Sequence, residues 1–253
     1  MQYEEFARVY DTFMDNVPYE KWGADIVSIL RSEGIEGGLV AELGCGTGTM
    51  TKQLSDAGYE MIGIDISPDM LSVAREKYID DKILWLCQDM REFELYGTVG
   101  AIVSVCDSVN YITEPEELVE VFRLVNNYLD KDGLFIFDFN TVHKYRDEIG
   151  DTIIAENRED CSFIWENEYD DDNGINTYYL TLFIMNEEGL FERSIEEHSQ
   201  RGYELAHMKE MLSRAGMVFV SAYDTDTHEA VNVNTQRVTV VAREGFNPQK
   251  LYI

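Results

Sequence analysis

The stretch 39-LVAELGCGTGTM-50 sets Gly44, Gly46 and Gly48 within five positions, directly after a short apolar run. It reads as a strand, a tight turn and a helix start. Glycines let the backbone approach a ligand closely, and a helix N-terminus presents free N–H groups. Dinucleotide dehydrogenases and nucleotide hydrolases use such turns as well, so the flanking residues decide. The dinucleotide spacing G-x-G-x-x-G fails because Thr49 stands at its last position, and no Gly-Lys-Ser/Thr follows to cradle phosphate. Glu42, two residues before the first glycine, would repel pyrophosphate and suits a cation.

Outward from the turn, residues 39 to 140 alternate β-rich runs with helical patterns. Strands are predicted at 39–43, 59–65, 82–88, 100–106 and 133–139. Between them, one helix closes at Gly58 and another opens with Ser67 as N-cap and Pro68 at its first position. A third starts at Thr113 or Glu114 and buries Leu118, Phe122, Val125 and Leu129. This grammar predicts a doubly wound α/β sheet whose ligand lies beyond the carboxyl ends of the strands. Asp65, at the tip of the second strand and 23 residues beyond Glu42, is placed to accept both hydroxyl protons of a ribose. The ligand therefore carries a ribose, a positive charge and no phosphates, and S-adenosylmethionine has all three properties.

"VAELGCGTG", with Asp65 in "GIDIS" and Asp89 in "CQDM", resembles the class I S-adenosylmethionine-dependent methyltransferases, closely over 39–140 and more loosely over the final helix and two strands. The resemblance implies a Rossmann-like, seven-stranded, mostly parallel sheet. It implies that Glu42 and Gly44 lie by the methionine moiety, with Cys45, Gly46 and Gly48 shaping the turn. Asp65 would bind the ribose, Ile66 would line the adenine, Asp89 would meet its amino group and Met90 would face the ring. Cys106 and Asp107 would border the methyl group.

After Asn140 the pattern changes. Three runs rich in aromatic and β-branched residues, separated by turns at 171–174 and 186–189, predict an antiparallel insertion after the fifth strand. A helix over about 204–215, closed by Gly216, and two strands at 217–223 and 236–243 resume the main sheet. Two amphipathic helices broken at Val17-Pro18 precede it, with Tyr3, Phe6, Tyr10 and Met14 on one face. The expected organisation is a helical lid over 1–36, a cofactor domain over 37–144 and 202–253, and an acceptor lid over 145–201. The segment "FARVYDTFM" with "PYEKW" resembles the N-terminal lid of deoxysugar-amine N-methyltransferases and glycine N-methyltransferase, which points to Tyr10 as the tyrosine covering the cofactor. Asp107, Asn110 and Tyr111 follow the fourth strand, where the acceptor is expected. Asn140, His198 and Arg201 could overlook it, His198 as a base and Arg201 as an anion clamp.

The formal net charge of −29 opposes phosphate backbones and anionic lipid surfaces. No Asn/Asp-Pro-Pro-Tyr motif of nucleic-acid amino methylation is present. The expected substrate is a small molecule methylated on nitrogen or oxygen. A protein or tRNA methyltransferase, a non-catalytic cofactor-binding scaffold and an NAD-linked oxidoreductase are the rivals. The opening "MQYEEFARVY" has no basic or apolar leader character, no run reaches membrane-spanning length, and Cys45, Cys87, Cys106 and Cys161 are widely spaced. Reduced thiols, no metal, a cytoplasmic location and a monomer or homodimer are expected.

Overall fold

In the computed structural model the described residues are 6–246 and 250. The N-terminal segment begins with a 3-10 turn, Phe6–Arg8, followed by α1 (Tyr10–Phe13) and α2 (Tyr19–Ser32). The first predicted helix is thus two short pieces, because Val9 and Phe13 turn into a shared cluster with Phe163, Leu180 and Leu182 of the insertion. The predicted break at Val17-Pro18 is present, with Pro18 capping α2. Tyr3 of the predicted aromatic face lies outside the described residues.

The main body runs β1 (Gly38–Leu43), α3 (Thr49–Asp56), β2 (Tyr59–Asp65), α4 (Pro68–Lys77), β3 (Leu84–Cys87), β4 (Val99–Ser104), α5 (Pro115–Tyr128) and β5 (Leu129–Asn140). Ser67 caps α4 by accepting from Met70 N at 3.2 Å, with Pro68 at the first position. Leu129 is buried as predicted, but it opens β5, not the last turn of α5. The insertion holds four strands: β6 (Ile153–Asn157), β7 (Cys161–Asp170), β8 (Ile175–Met185) and β9 (Phe191–Arg201). The additional strand, β6, is a five-residue edge element without a buried face, so it lacks the apolar alternation that marks its neighbours. Then come α6 (Leu205–Arg214), β10 (Val218–Asp224) and β11 (Arg237–Arg243).

The seven-stranded sheet has the order β10-β11-β5-β4-β1-β2-β3. Strands β1 to β5 pair in parallel, and β11 runs antiparallel to both β5 and β10. Chain order reverses between β1 and β4, and a ligand crevice opens at such a switch point. Two apolar layers cover the sheet. Leu118, Phe122 and Val125 of α5 with Met208 and Leu212 of α6 pack one face; Trp22, Ile26 and Leu30 of α2 with Met50 and Leu54 of α3 pack the other.

Candidate active site

The glycine turn joins β1 to α3. Gly44, Gly46 and Gly48 have φ of 70°, 53° and 80°, backbone that side chains with a Cβ adopt only under strain. A Cβ on Gly48 would lie 2.4 Å from the Trp85 ring, and one on Gly44 would lie 2.6 Å from the Cβ of Ser108. Gly44 N and Cys45 N both donate to Ile64 O, at 2.8 and 3.0 Å, which ties the turn to the tip of β2. There Asp65 accepts from Gly46 N at 2.7 Å and from Ser67 N at 2.8 Å, so one carboxylate holds both loops at the switch point. Burial pushes the Asp65 carboxyl upward, against the pull of those N–H donors.

These loops frame a cleft of about 190 Å³. It brings together Glu42, Gly44, Cys45, Gly46, Asp65, Ile66, Asp89, Met90 and Cys106, with Tyr10 and Tyr111 at its edge. Gly48 stands outside the lining, at the cap of α3 against Trp85. Glu42 is buried and accepts from the Thr51 hydroxyl. Desolvation lifts its carboxyl to about 8 despite that hydrogen bond. Asp89 behaves oppositely: burial works against ionisation, but the Arg91 guanidinium, at 2.5 and 3.0 Å, holds it below the ordinary carboxylate range.

At the other end of the cleft stand Tyr10, Tyr19, Cys106, Ser108, Tyr111 and Ile112. Burial pushes the Tyr10, Tyr19 and Cys106 groups upward, so this wall is uncharged. The Cys106 thiol donates to the Tyr19 hydroxyl at 3.4 Å, and it is a neutral packing group, not a thiolate. Cys106 and Asp107 both have left-handed backbone, φ 57° and 53°. Asp138 of β5 holds them there by accepting from their N–H groups at 3.1 and 2.7 Å.

The structure places the remaining predicted residues behind the cleft lining. Asp107 pairs with Arg237 at 2.6 Å and accepts from Gln200 Nε2 at 2.7 Å. Asn110 is fully buried; its amide donates to Asn140 O at 2.9 Å and Arg201 O at 2.6 Å, and its oxygen accepts from Asn140 N at 2.9 Å. Asn140 contacts the Tyr145 hydroxyl and Lys144 Nζ at 2.9 and 3.0 Å. Arg201 Nε donates to Thr113 O. His198 is buried in β9, its Nδ1 3.4 Å from the Tyr111 hydroxyl and its Nε2 3.2 Å from Glu196.

A second group of residues shapes the site without lining it: Asp11 and Asp138 belong to segments that the sequence offers as acceptor candidates, whereas Asp15 and Arg237 carry no such signal. Asp138 and Arg237 form the ion pair that locks the β4 tip, at 3.3 Å. In the sequence they are a lone acid within "FIFDFN" and a lone base opening "RVTVV". Asp11 latches the N-terminal segment to the glycine turn, accepting from Thr47 Oγ1 and Lys77 Nζ at 2.6 Å each. Asp15 joins the same segment to the insertion through Arg158, with two contacts of 3.0 Å. Among the described residues, no helix is long and apolar enough to cross a membrane.

Comparison with known proteins agrees with this geometry. A family described as "Methyltransferase domain" matches residues 40–133. The chain is 35% identical over 231 residues to "Putative methyltransferase YqeM" of Bacillus subtilis (strain 168), covering 90% of this chain and 92% of that protein. It is 29% identical over 136 residues, 53% of this chain and 56% of the relative, to the dTDP-3-amino-3,4,6-trideoxy-alpha-D-glucopyranose N,N-dimethyltransferase of Streptomyces venezuelae. The crystal structure of a S-adenosylmethionine-dependent methyltransferase from Clostridium acetobutylicum ATCC 824 superposes with a TM-score of 0.87 at 27% identity, covering 96% of this chain and 99% of that one.

Proposed function

This chain belongs to the S-adenosylmethionine-dependent methyltransferase family, and on that premise we propose that it methylates a nitrogen or oxygen of a small-molecule acceptor, with an amine on a sugar-like molecule as the favoured class. The donor's fit rests on the cleft itself: a carboxylate, Asp65, at one loop and a buried carboxylate, Glu42, at the other, with no lysine among the described lining residues. Asp65 would hold the ribose hydroxyls, Glu42 and Gly44 the methionine end, and Ile66, Asp89 and Met90 the adenine. When bound, the donor supplies a sulfonium-activated methyl group whose carbon–sulfur electron pair leaves with sulfur.

The chain's own residues have three tasks. They bind the donor, exclude water at its reactive end, and hold an acceptor in line, which is worth several kcal/mol of avoided entropy loss. Tyr10 and Tyr19 present aromatic faces where a cation would be attracted. The uncharged wall of Tyr10, Tyr19 and Cys106 keeps that space apolar and free of competing nucleophiles.

The observation that carries the small-molecule reading is the roof. The N-terminal segment, whose Tyr10 and Tyr19 line the cleft, is tied at Asp11 to the glycine turn and at Asp15 to the insertion. Such a roof suits an acceptor that enters whole. The net charge of −29 further supports it over a nucleic acid. The relatives whose names specify amino-deoxyglucose N,N-dimethylation point to the amine. The test is S-adenosylhomocysteine release with a panel of amines, amino sugars and hydroxy acids. Product formation with at least one amine is expected. Methylation of protein or tRNA alone would overturn the reading.

A further inference from the structure

We propose that the outer face of the insertion sheet is a two-fold interface with a second copy of this chain, in which Arg193 of each protomer pairs with the partner's Glu197. This goes beyond the methyl-transfer reading and does not rest on it.

An antiparallel sheet with one wet face alternates apolar and polar residues along each strand. Strand β8, "INTYYLTLFIM", does not. Its inward residues Tyr178, Leu180, Leu182 and Ile184 are buried in the cluster that also holds Val9 and Phe13. The residues between them face the other way, and there Tyr179 and Met185 are exposed and Phe183 is half-buried. Strand pairing carries this second apolar face sideways. Thr181 stands beside Ile164 and Ile195, and Ile164 stands beside Ala155. Ile153 and Phe191 lie on the same face, 68% and 51% exposed, and Ile195 is 52% exposed. A strand that is apolar on both sides belongs in a sheet covered on both sides. The N-terminal segment supplies one cover, and the outer face lacks its counterpart among the described residues.

The face is large enough for a second copy. Three strands of about nine residues and the five residues of β6, about 4.8 Å apart and rising ~3.4 Å per residue, give a flat footprint of roughly 500 Å². Two copies therefore bury roughly 1,000 Å² before side-chain relief is counted, the size at which an interface holds in solution.

Charge selects both the occupant and the register. A face that meets its own copy about a two-fold axis must be self-complementary. An axis lying in the interface and crossing the strands at the row Ala155–Ile164–Thr181–Ile195 sets each strand antiparallel over its own copy. A residue two positions before that row then meets the residue two positions after it. On β9 this brings Arg193 over the partner's Glu197, twice by symmetry, and on β8 it brings Tyr179 over the partner's Phe183. Arg193 and Glu197 are both exposed, and their side chains together span the ~10 Å between stacked sheets. Moving the axis by one row stacks Glu197 and Glu166 on their own copies, or Arg193 on its own copy. Thr181, buried and small at the centre, lets the sheets approach between Ile164 and Ile195. In a chain of net charge −29, the three central rows hold only Glu166 and Glu197 as acids, so this face repels a second copy least.

Sedimentation velocity of the full chain should show a concentration-dependent dimer with a micromolar dissociation constant. Ile195→Lys should leave monomer alone over the same range. Arg193→Glu and Glu197→Arg should each weaken the dimer ~10-fold or more, because each puts two like-charge contacts across the axis. The double variant restores both pairs with their signs exchanged and should return to within about threefold of wild type. The charge reversals lie on the exposed surface, so they decide the matter should Ile195→Lys fail to fold. A protein that stays monomeric at every concentration, or a dimer that ignores Ile195→Lys, refutes the proposal. So does a dimer indifferent to both charge reversals, or one that the double variant does not restore. Donor binding and turnover play no part in the measurement, so a failure of the methyl-transfer reading leaves it intact.

Discussion

Glu42 should make donor binding depend on pH in a way that a surface carboxylate would not. It is buried in the cleft wall with its carboxyl lifted to about 8, chiefly by desolvation. At pH 7 the free protein therefore carries a proton there in roughly nine molecules of ten. A cationic donor favours the ionised form, so binding expels that proton. With the bound-state value pulled well below 6, the apparent affinity falls roughly 50-fold between pH 8 and pH 6, about 2.3 kcal/mol. Calorimetry at pH 7 in phosphate and in Tris should count about 0.9 proton released per donor bound. Glu42→Gln should bind more weakly at pH 8 and lose most of the slope. The donor's own amine titrates alike with either protein, so the difference between them is the readout. Equal slopes for wild type and Glu42→Gln, or no proton release from wild type, would refute the reasoning.

The same shift affects the cofactor-free protein with a defined sign. A carboxyl whose folded value is raised stabilises most below its ordinary 4.5 and progressively less as pH climbs toward about 8. Glu42→Gln should therefore raise the melting temperature more at pH 8 than at pH 5, reflecting on the order of 2–4 kcal/mol. Gly48→Ala should cost ~1–3 kcal/mol in urea unfolding, because the new Cβ needs a left-handed backbone and meets Trp85. Asn110→Ala removes the amide that serves Asn140 N, Asn140 O and Arg201 O in the buried seam, and should cost ~2–4 kcal/mol in the same assay. Asp11→Ala, at a partly exposed ion pair, should change global stability by less than ~1 kcal/mol. It should nonetheless speed S-adenosylhomocysteine release several-fold in stopped-flow tryptophan fluorescence.

The glycine-turn end of the cleft was legible because its residues sit at the ends of consecutive strands. Gly44, Asp65 and Asp89 each follow a short apolar run, and helices with ordinary caps separate those runs. The second strand, predicted over 59–65, is Tyr59–Asp65. Local grammar suffices there because the bonds that tie the turn to the tip of β2, such as Gly46 N to Asp65, join consecutive units. Leu129 misled because an apolar residue four positions after Val125 continues a helical stripe, and nothing local marks where α5 gives way to β5. The strand β6 was missed for the opposite reason, since an edge strand without a buried face carries no alternating signal.

The other end, beyond β4, is different in kind. Tyr111 meets Tyr178 and His198 across 67 and 87 residues, and Asp107 meets Arg237 across 130. Periodicity predicts that β8 and β9 exist, but the register that sets Tyr178 opposite His198 is fixed by turn geometry and by which face meets the N-terminal segment. A slip of one residue would carry His198 to the solvent face and Glu197 inward. The sequence marks His198 as chemically capable, and Tyr111 as near the methyl-transfer end, without saying that one stands behind the other. That ordering matters for the site: Tyr111 lines the cleft, whereas His198 lies behind it and does not. Asp107 shows the converse. Its position at the tip of β4 suggests a group facing the methyl, but Arg237 and Gln200 draw it into the wall, where it holds the turn that presents Tyr111 to the cleft.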